Sequence, residues 1–562
     1  MNILKQLPPK PYHNQFVAID TEWFNINSNM LHRPISGQFG CLSVCYEPDT
    51  VYLIQDKDDV SKVLDIISDG IWIGHNLKFD LTHLRRLAQI PPRKKIWDTM
   101  LIDQELWGGY YDLFGLEDVA RRYLSIEMDK SLQKSFEQDI PEMSDQQIIY
   151  AATDAAITLN VAKEQCNFMD GTDLRIWREI DAPTMWSIMD FIGFRINVDA
   201  WRELAIKNKQ RQQEIDEQLP FNPCSSKAVK QYLSSRGFLR LPNTQEKTLI
   251  QWSRKYPECD ATELTKQVLL SRKYSKRAST YGMNFIEKYL EQEDGVDVIH
   301  CEYWINGTET GRLSATNPPM QTIISRDTNE FRNCFIARPG NKIVIWDWVA
   351  QEMGVAAYVS NDPVLIKIFN SGKDIYITTA LEVFNEVIKN KSDPRRKTMK
   401  SLVLGLDYGL SKYGLAEREG MTINDADDLI HRYLRRLPKF ASWMVRQQKQ
   451  KSMVTSVLGR KIHLNPYSGQ AKRNALNAPI QSTAGDMMKK ALSVMHQEWD
   501  FDCPFAMVET THDECGVDVP EGYAKEVKAF GIRIMEQVAR EMCPGIEFRV
   551  DAKVCDTWGE KE

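Results

Sequence analysis

Seven acidic residues in two groups are the part of this chain best placed to do chemistry. Asp20 and Glu22, Asp80 and Asp154 lie in the first third, and Asp347 and the adjacent pair Asp513–Glu514 lie far downstream. Clustered carboxylates suit two-metal phosphoryl transfer, in which paired cations stabilise the attacking and the leaving oxygen. Singly, each motif is weak: an Asp-x-Glu or a Tyr-x-x-x-Asp occurs often by chance. Their order and local setting carry the weight.

The elements that must position them can be read from hydrophobic period. "QFVAID" reads as a buried strand ending on an acid, "VYLIQ" as a second, and "IWIGHN" as a third leading into the helical "LKFDLTHLRRL". Period-two geometry puts Asp20 and Glu22 on one side of their strand. Asp80 follows just past another strand. Ser144 and Gln147 form a capping-box pattern opening a helix on which Tyr150 and Asp154, four apart, share a face. Residues from the start to about 163 read as an α/β unit, those from about 170 to 293 as mostly helical, and the rest as mixed. "KIVIWD" is an apolar strand ending on Asp347, and "FAMVETTHDECGVDVP" reads as a hairpin with His512, Asp513 and Glu514 at its turn.

With 562 residues the chain needs two or more domains. It has no repeats, no bilayer-spanning apolar run and no signal-peptide pattern, so a cytoplasmic protein without a membrane partner is expected. The eleven cysteines follow no framework; Cys41 and Cys45 are the closest pair, and reduced thiols are expected rather than zinc ligands. A net charge of −6 does not exclude a polyanionic partner, because local fields steer phosphates. Lys266, Arg272, Lys273, Lys276 and Arg277 form a basic run with no acid between them. Alone it reads as a solvated helix face; a phosphate-tracking surface becomes preferable beside the other motifs.

A helix is expected after Ser392, with Asp393 as its N-cap, Pro394 in its first position and Gly409 as its stop. Arg396, Lys400, Leu404 and Tyr408 fall at four-residue spacing along it. Arg395, Arg396 and Lys397 crowd its positive end, which is unfavourable for the helix dipole unless a polyanion such as a triphosphate docks there.

Six ordered stretches then carry a resemblance. "RKTMKSLVLGLDYG" resembles motif B of family A DNA polymerases, "DWVAQE" motif A and "THDE" motif C. "TGRLSATNPPMQTI" is similar to the family's primer–template motif, "RNALNAPIQSTAGDMM" to its minor-groove segment, and "LLSRKYSKRASTYG" to its thumb segment. This resemblance runs from about residue 180 onward. The first 165 or so residues resemble the DEDD-type 3′–5′ exonucleases, in the branch with tyrosine in the third motif.

The resemblance implies an α/β multidomain chain: an RNase H-like exonuclease domain over about 1–170, then a right-hand polymerase over 171–562. Its thumb would lie at about 200–298, its palm at 299–360 and 490–562, and its fingers at 361–489. It implies exonuclease metal ligands Asp20, Glu22, Asp80 and Asp154, with Tyr150 orienting the attacking water or the phosphate. Asp347 and Asp513 would hold the polymerase metals; two Mg²⁺ are expected per site, with Mn²⁺ as the alternative ion. Arg396 and Lys400 would bind the triphosphate and Tyr408 would support the nascent pair. Glu352 with Tyr408 would exclude ribonucleotides, and His512 and Glu514 would flank the metal ligand. Arg312, Asn477 and Gln481 would contact the minor groove, where acceptors look alike for A·T and T·A, and Arg272, Lys273 and Lys276 would contact DNA.

The chain departs from the family pattern in places. Trp348, Val349, Ala350 and Gln351 precede Glu352, Leu404 replaces Phe or Tyr, and Pro319 and Thr322 stand where Asn is common. The expected partners are primer–template DNA and dNTPs, acted on by a monomer, with a processivity factor, helicase or primase as accessories. The short thumb and the start of the sequence at the exonuclease imply a compact phage-type replicative enzyme lacking a 5′-nuclease domain. Two other readings are a single-subunit RNA polymerase, and a nuclease whose degenerate polymerase domain only binds DNA. The exonuclease set, Glu352 and the TGRLS motif speak against the first. Intact Asp347, Asp513, Arg396 and Lys400 speak against the second.

Overall fold

The computed structural model describes residues 1–24, 37–91, 93–137, 142–325, 328–407 and 409–561. They form two compact units. One comprises Met1–Ile192, Cys301–Gln321 and Val344–Val554; the other comprises Gly193–His300, Thr322–Ile343 and Cys555–Glu562.

The first unit holds a six-stranded sheet, most of a four-stranded sheet and two two-stranded sheets among the described residues. In the six-stranded sheet the order is Asn2–Leu4, Thr50–Ile54, Gln38–Glu47, Phe16–Phe24, Ile71–Gly74, Ile96–Asp98. Phe16–Phe24 runs antiparallel to Gln38–Glu47 along most of its length but pairs in parallel with Ile71–Gly74 only through Phe16, Val17 and Ala18. Among the described residues no strand pairs with that edge beyond Ala18. The helix Asp145–Phe168 packs on this sheet, and its buried Ala151, Ala152, Ala155 and Ala162 permit close approach. Its capping box at Ser144 and Gln147 is present. Cys41 and Cys45 are both fully buried in Gln38–Glu47, where they act as small apolar residues; neither forms a disulfide.

The second sheet has the order Met507–Thr511, Glu514–Pro520, Asn341–Trp348, Val550–Cys555. Ile343, Val344, Ile345 and Trp346 are all buried, so both faces of the Asn341–Trp348 strand are covered. Within the first unit a buried ionic cluster joins the segment after residue 170 to downstream helices. Arg460 donates through Nη1 (2.9 Å) and Nη2 (2.8 Å) to Asp181 and through Nε to Asp486 (2.8 Å). Lys489 Nζ donates to Asp181 (2.7 Å) and to Asn306 Oδ1 (2.8 Å). Two cations face two anions with no solvent, which is sustainable only because each is hydrogen-bonded.

The second unit is mainly helical. Val198–Asp216 packs on Asp260–Thr280, with Ile215, Val229, Leu233, Phe238, Leu249 and Val268 in its core. Phe194, Phe335 and Trp558 form an aromatic cluster with centroids 5.2–5.8 Å apart. Among the described residues no helix is long and apolar enough to cross a membrane.

Candidate active sites

Asp20 and Glu22 lie in Phe16–Phe24, interior to the strand rather than at its end, two apart and so on one face. Between them, Thr21 donates to Asp80 Oδ1 through its N–H (2.9 Å) and its hydroxyl (2.7 Å). This holds the first turn of the helix Leu77–Leu84 against the strand. The chain enters that helix through Asn76, in the left-handed region at φ 60°. Buried Asp98 secures the turn: it accepts from the N–H groups of Asn76 (3.2 Å), Leu77 (2.8 Å), Met100 (3.0 Å) and Leu101 (3.1 Å). One carboxylate thus caps two helices. Burial lifts its pKa to about 6, against those backbone donors.

The helix Asp145–Phe168 presents Tyr150 and Asp154 to the same place. Lys130 Nζ bridges them, donating to Asp154 Oδ2 (2.8 Å) and the Tyr150 hydroxyl (3.1 Å). Burial and then mutual repulsion raise this carboxyl set: Glu22 reaches about 8, with Asp154 and Asp80 as its charged neighbours. Asp80 rises to about 7 by burial, against its bonds from Thr21, and Asp20 is pushed well up by burial and by Glu22. Burial also raises Asp154, with Lys130 opposing. Four acids that resist ionising together are a site built for cations. Asp20 Oδ2 and Asp154 Oδ1 are buried without a hydrogen-bond partner, a donor set that fits a divalent ion. Among the described residues no three candidate ligands already close around one point.

In the second sheet, Asp347 lies near the end of its strand, and the N–H of Trp348 donates to Asp513 O (3.1 Å). This bond brings the strand beside the hairpin turn. Thr511 pairs with Glu514, so His512 and Asp513 alone form the turn, with His512 at φ 58°. Glu514 is buried at the start of the return strand.

The helix Pro394–Asp407 begins as expected, with Asp393 Oδ1 accepting from Arg395 N (3.0 Å). Arg396 donates through Nε (3.0 Å) and Nη2 (2.7 Å) to Asp374 Oδ2. Asp374 Oδ1 in turn caps Ile375–Phe384, accepting from Tyr376 N (3.1 Å) and Ile377 N (3.0 Å). Burial disfavours the ionised Asp374, but Arg396 and these N–H groups hold it below its usual value. The Arg396 guanidinium and the Lys400 ammonium lie 5.2 and 6.0 Å from the Tyr376 ring centroid. Lys400 is exposed and Leu404 half-buried. Tyr408 lies outside the described residues.

Arg312 ion-pairs with Glu352 through Nη2 and donates through Nε to Gln481 O (3.1 Å), so three expected site residues converge. Asn477 lies one helical turn before Gln481, its Oδ1 buried without a partner. In the second unit Arg272 turns inward, donating to Pro223 O (2.8 Å) and to both oxygens of Thr244. Its guanidinium holds this unit together, whereas Lys273 is half-buried and Lys276 exposed. Lys130, Asp98 and Asp374 were not singled out from sequence. The "DIY" placement of an acid just before a helix is a capping signal for Asp374; no sequence signal ties Lys130 to Asp154.

Residues 198–560 match the family model for DNA polymerase family A, and residues 2–165 the model for a 3′–5′ exonuclease. DNA polymerase I of Aquifex aeolicus is 27% identical over 541 residues, covering 90% of this chain and 91% of that protein. DNA polymerase I of Chloroflexus aurantiacus is 26% identical, covering 97% of this chain but 61% of its own length. Among solved structures, the POL domain of Pol1 from M. smegmatis, in complex with DNA primer-template and dNTP, has the same fold. Its TM-score is 0.81 at 21% identity, covering 97% of this chain and 95% of that one. Exonuclease and polymerase domains of this kind use divalent metals. With the carboxylates of two matched domains on two separate sheets, the chain belongs to family A of the DNA-directed DNA polymerases and carries a 3′–5′ exonuclease domain ahead of its polymerase domain.

Proposed function

We propose that this chain extends a primer on a DNA template with dNTPs and removes mispaired 3′ ends, each by two-metal phosphoryl transfer. The observation that carries the reading is the joining of Asp347 to the Asp513 turn by the Trp348–Asp513 backbone bond, on a different sheet from the one that bears Asp20 and Glu22 and against which Asp80 and Asp154 are brought by their helices. Asp347 and Asp513 would hold two Mg²⁺ ions, with Mn²⁺ as the alternative, and Glu514 and His512 would flank them. When bound, the ions neutralise charge developing on the transferred phosphoryl group.

Arg396 and Lys400 would take the triphosphate from the basic start of their helix, Arg396 exchanging Asp374 for phosphate. Glu352, with Tyr408, would close off the sugar 2′ position; Leu404 would face the sugar. Arg312, Asn477 and Gln481 would contact the minor groove, and Lys273 and Lys276 the backbone, with Arg272 positioning their helix. In the exonuclease site Tyr150 would orient the water or the phosphate. We assign exonuclease to about 1–170 and polymerase to 171–562, with the thumb at 200–298, the palm at 299–360 and 490–562, and the fingers at 361–489. We further propose a monomer acting in the cytoplasm in phage genome replication, with a processivity factor, helicase or primase as accessories.

Separation of function tests the reading. Asp347→Ala or Asp513→Ala should abolish primer extension and leave single-strand 3′ digestion intact. Asp20→Ala with Glu22→Ala should do the reverse. A folded variant of either kind that lost both activities would refute two independent sites.

A further inference from the structure

A cavity in the first unit lies apart from both carboxylate sets, and no role proposed above uses it. Its volume is about 900 Å³, near the top of the roughly 300–1,000 Å³ range of ligand pockets. Phe16, Ile71, Leu174, Ala182 and Pro183 give it a half-buried apolar floor, backed by the indoles of Trp97, Trp177 and Trp186. Polar atoms of that backing are already used inside the fold: Trp97 Nε1 donates to Gln165 Oε1 (3.0 Å) and Trp177 Nε1 to Ile96 O (3.1 Å). The floor offers contact area and few groups for recognising a polar edge.

The rim is cationic. Arg93, Lys95 and Arg178 are exposed. Arg93 donates to Gln497 O (2.8 Å) and Lys95 to Asn14 Oδ1 (3.0 Å), both neutral acceptors, so neither charge is cancelled. Lys94 likewise donates to the carbonyls of Ser68 and Gly70. Arg178 makes no ion pair among the described residues. Asp170 is the one acid among the described lining residues, and Lys461 already engages it at 2.9 Å. His496 is matched by Asp190 at 2.6 Å.

We propose that this cavity docks an acidic peptide segment of another protein. A bulky apolar side chain would rest on the floor while flanking carboxylates face Arg93, Lys95 and Arg178. Charge complementarity selects the acids, and the apolar floor selects the anchor. Single-stranded nucleic acid also carries negative charge, but the apolar floor itself offers a base edge few partners, the polar lining being at the rim.

The test uses the full chain and a fluorescein-labelled Asp-Asp-Phe-Asp-Asp peptide, read by anisotropy. Gly171 lines the cavity, and a Cβ there meets nothing within 4 Å, so Gly171→Trp adds an indole at the cavity wall without a clash at its Cβ. Arg178→Glu reverses an exposed charge. We expect saturable binding, weakened about tenfold by either substitution and by replacing the peptide's Phe with Ser. Both variants should keep wild-type primer extension and 3′ digestion. Absence of saturable binding, or binding indifferent to Gly171→Trp, would overturn the proposal. So would an oligo(dT) strand that binds in place of the peptide and is itself weakened by Gly171→Trp, since the cavity would then take nucleic acid.

Discussion

Position 404 holds a leucine where the resemblance to family A implies an aromatic residue, and leucine has no donor or acceptor to offer. A tyrosine hydroxyl there could replace the hydrogen bond that a missing sugar 3′-OH would have made to the triphosphate. A lost bond to a charged group is worth about 1.5–3 kcal/mol, or on the order of ten- to a hundredfold in rate. The native chain should therefore discriminate against dideoxynucleotides, and Leu404→Tyr should relax this with little effect on dNTP use. The ratio of dNTP to ddNTP incorporation efficiency decides it, and an unchanged ratio would mean that this residue does not face the sugar. Glu352 makes a second case. Its ion pair with Arg312 fixes the carboxylate in place, so Glu352→Ala should both admit ribonucleotides and release Arg312. Glu352→Gln, which keeps the volume, should still exclude them. Ribonucleotide incorporation by the three proteins separates size from charge, and equal exclusion in all three would move the gate elsewhere.

Among the elements, the helices Leu77–Leu84 and Thr99–Trp107 depend on one cap. Asp98→Ala would strip four backbone N–H groups of their acceptor. At about 1 kcal/mol per cap, the loss should be about 2 kcal/mol. Because Asp80 rides on the first of these helices, 3′ digestion should fall more than primer extension; equal losses would argue for global unfolding. Glu105, on the second helix, predicts a pH dependence. It is buried, neither carboxylate oxygen has a hydrogen-bond partner, and burial raises its pKa well above the ordinary 4.5, with Arg460 opposing. Above the unfolded pKa, the folded protein retains a proton that the unfolded chain gives up, so this residue costs stability as pH rises. Glu105→Gln cannot titrate. Its advantage in unfolding free energy over the native chain should grow from pH 5 toward pH 9, by on the order of 1 kcal/mol, as followed by thermal unfolding; a constant difference would show that the carboxyl is not the cause. Some of this was legible in sequence and some was not. The strand and helix bearing Asp20, Glu22, Tyr150 and Asp154 follow from local period and a capping box. The strand Gln38–Glu47 escaped notice because its buried cysteines read as scattered thiols. Lys130, Asp374 and Arg272 act through residues distant in sequence, and no local pattern records such partners.

Over the whole molecule, the chain reads more simply than it folds. Asp181, just past the expected boundary near residue 170, is bound to Arg460 and Lys489, and the residues on either side of that boundary lie in one compact unit. The second unit is assembled from three separated stretches. Trp558 is fully buried in it: its N–H donates to Phe335 O (2.9 Å), and Arg332 lies 4.2 Å from its ring centroid. Trp558→Ala should cost about 3–5 kcal/mol and expose the helix Asp260–Thr280 to limited proteolysis; an unchanged cleavage pattern would show that this unit closes without it. The same tryptophan orders events on the ribosome. Phe194 is translated long before its neighbour Trp558, so the second unit must wait, incomplete, while the intervening polypeptide is made. A translational stall or a premature stop between the two would harm a fold whose other parts were synthesised long before.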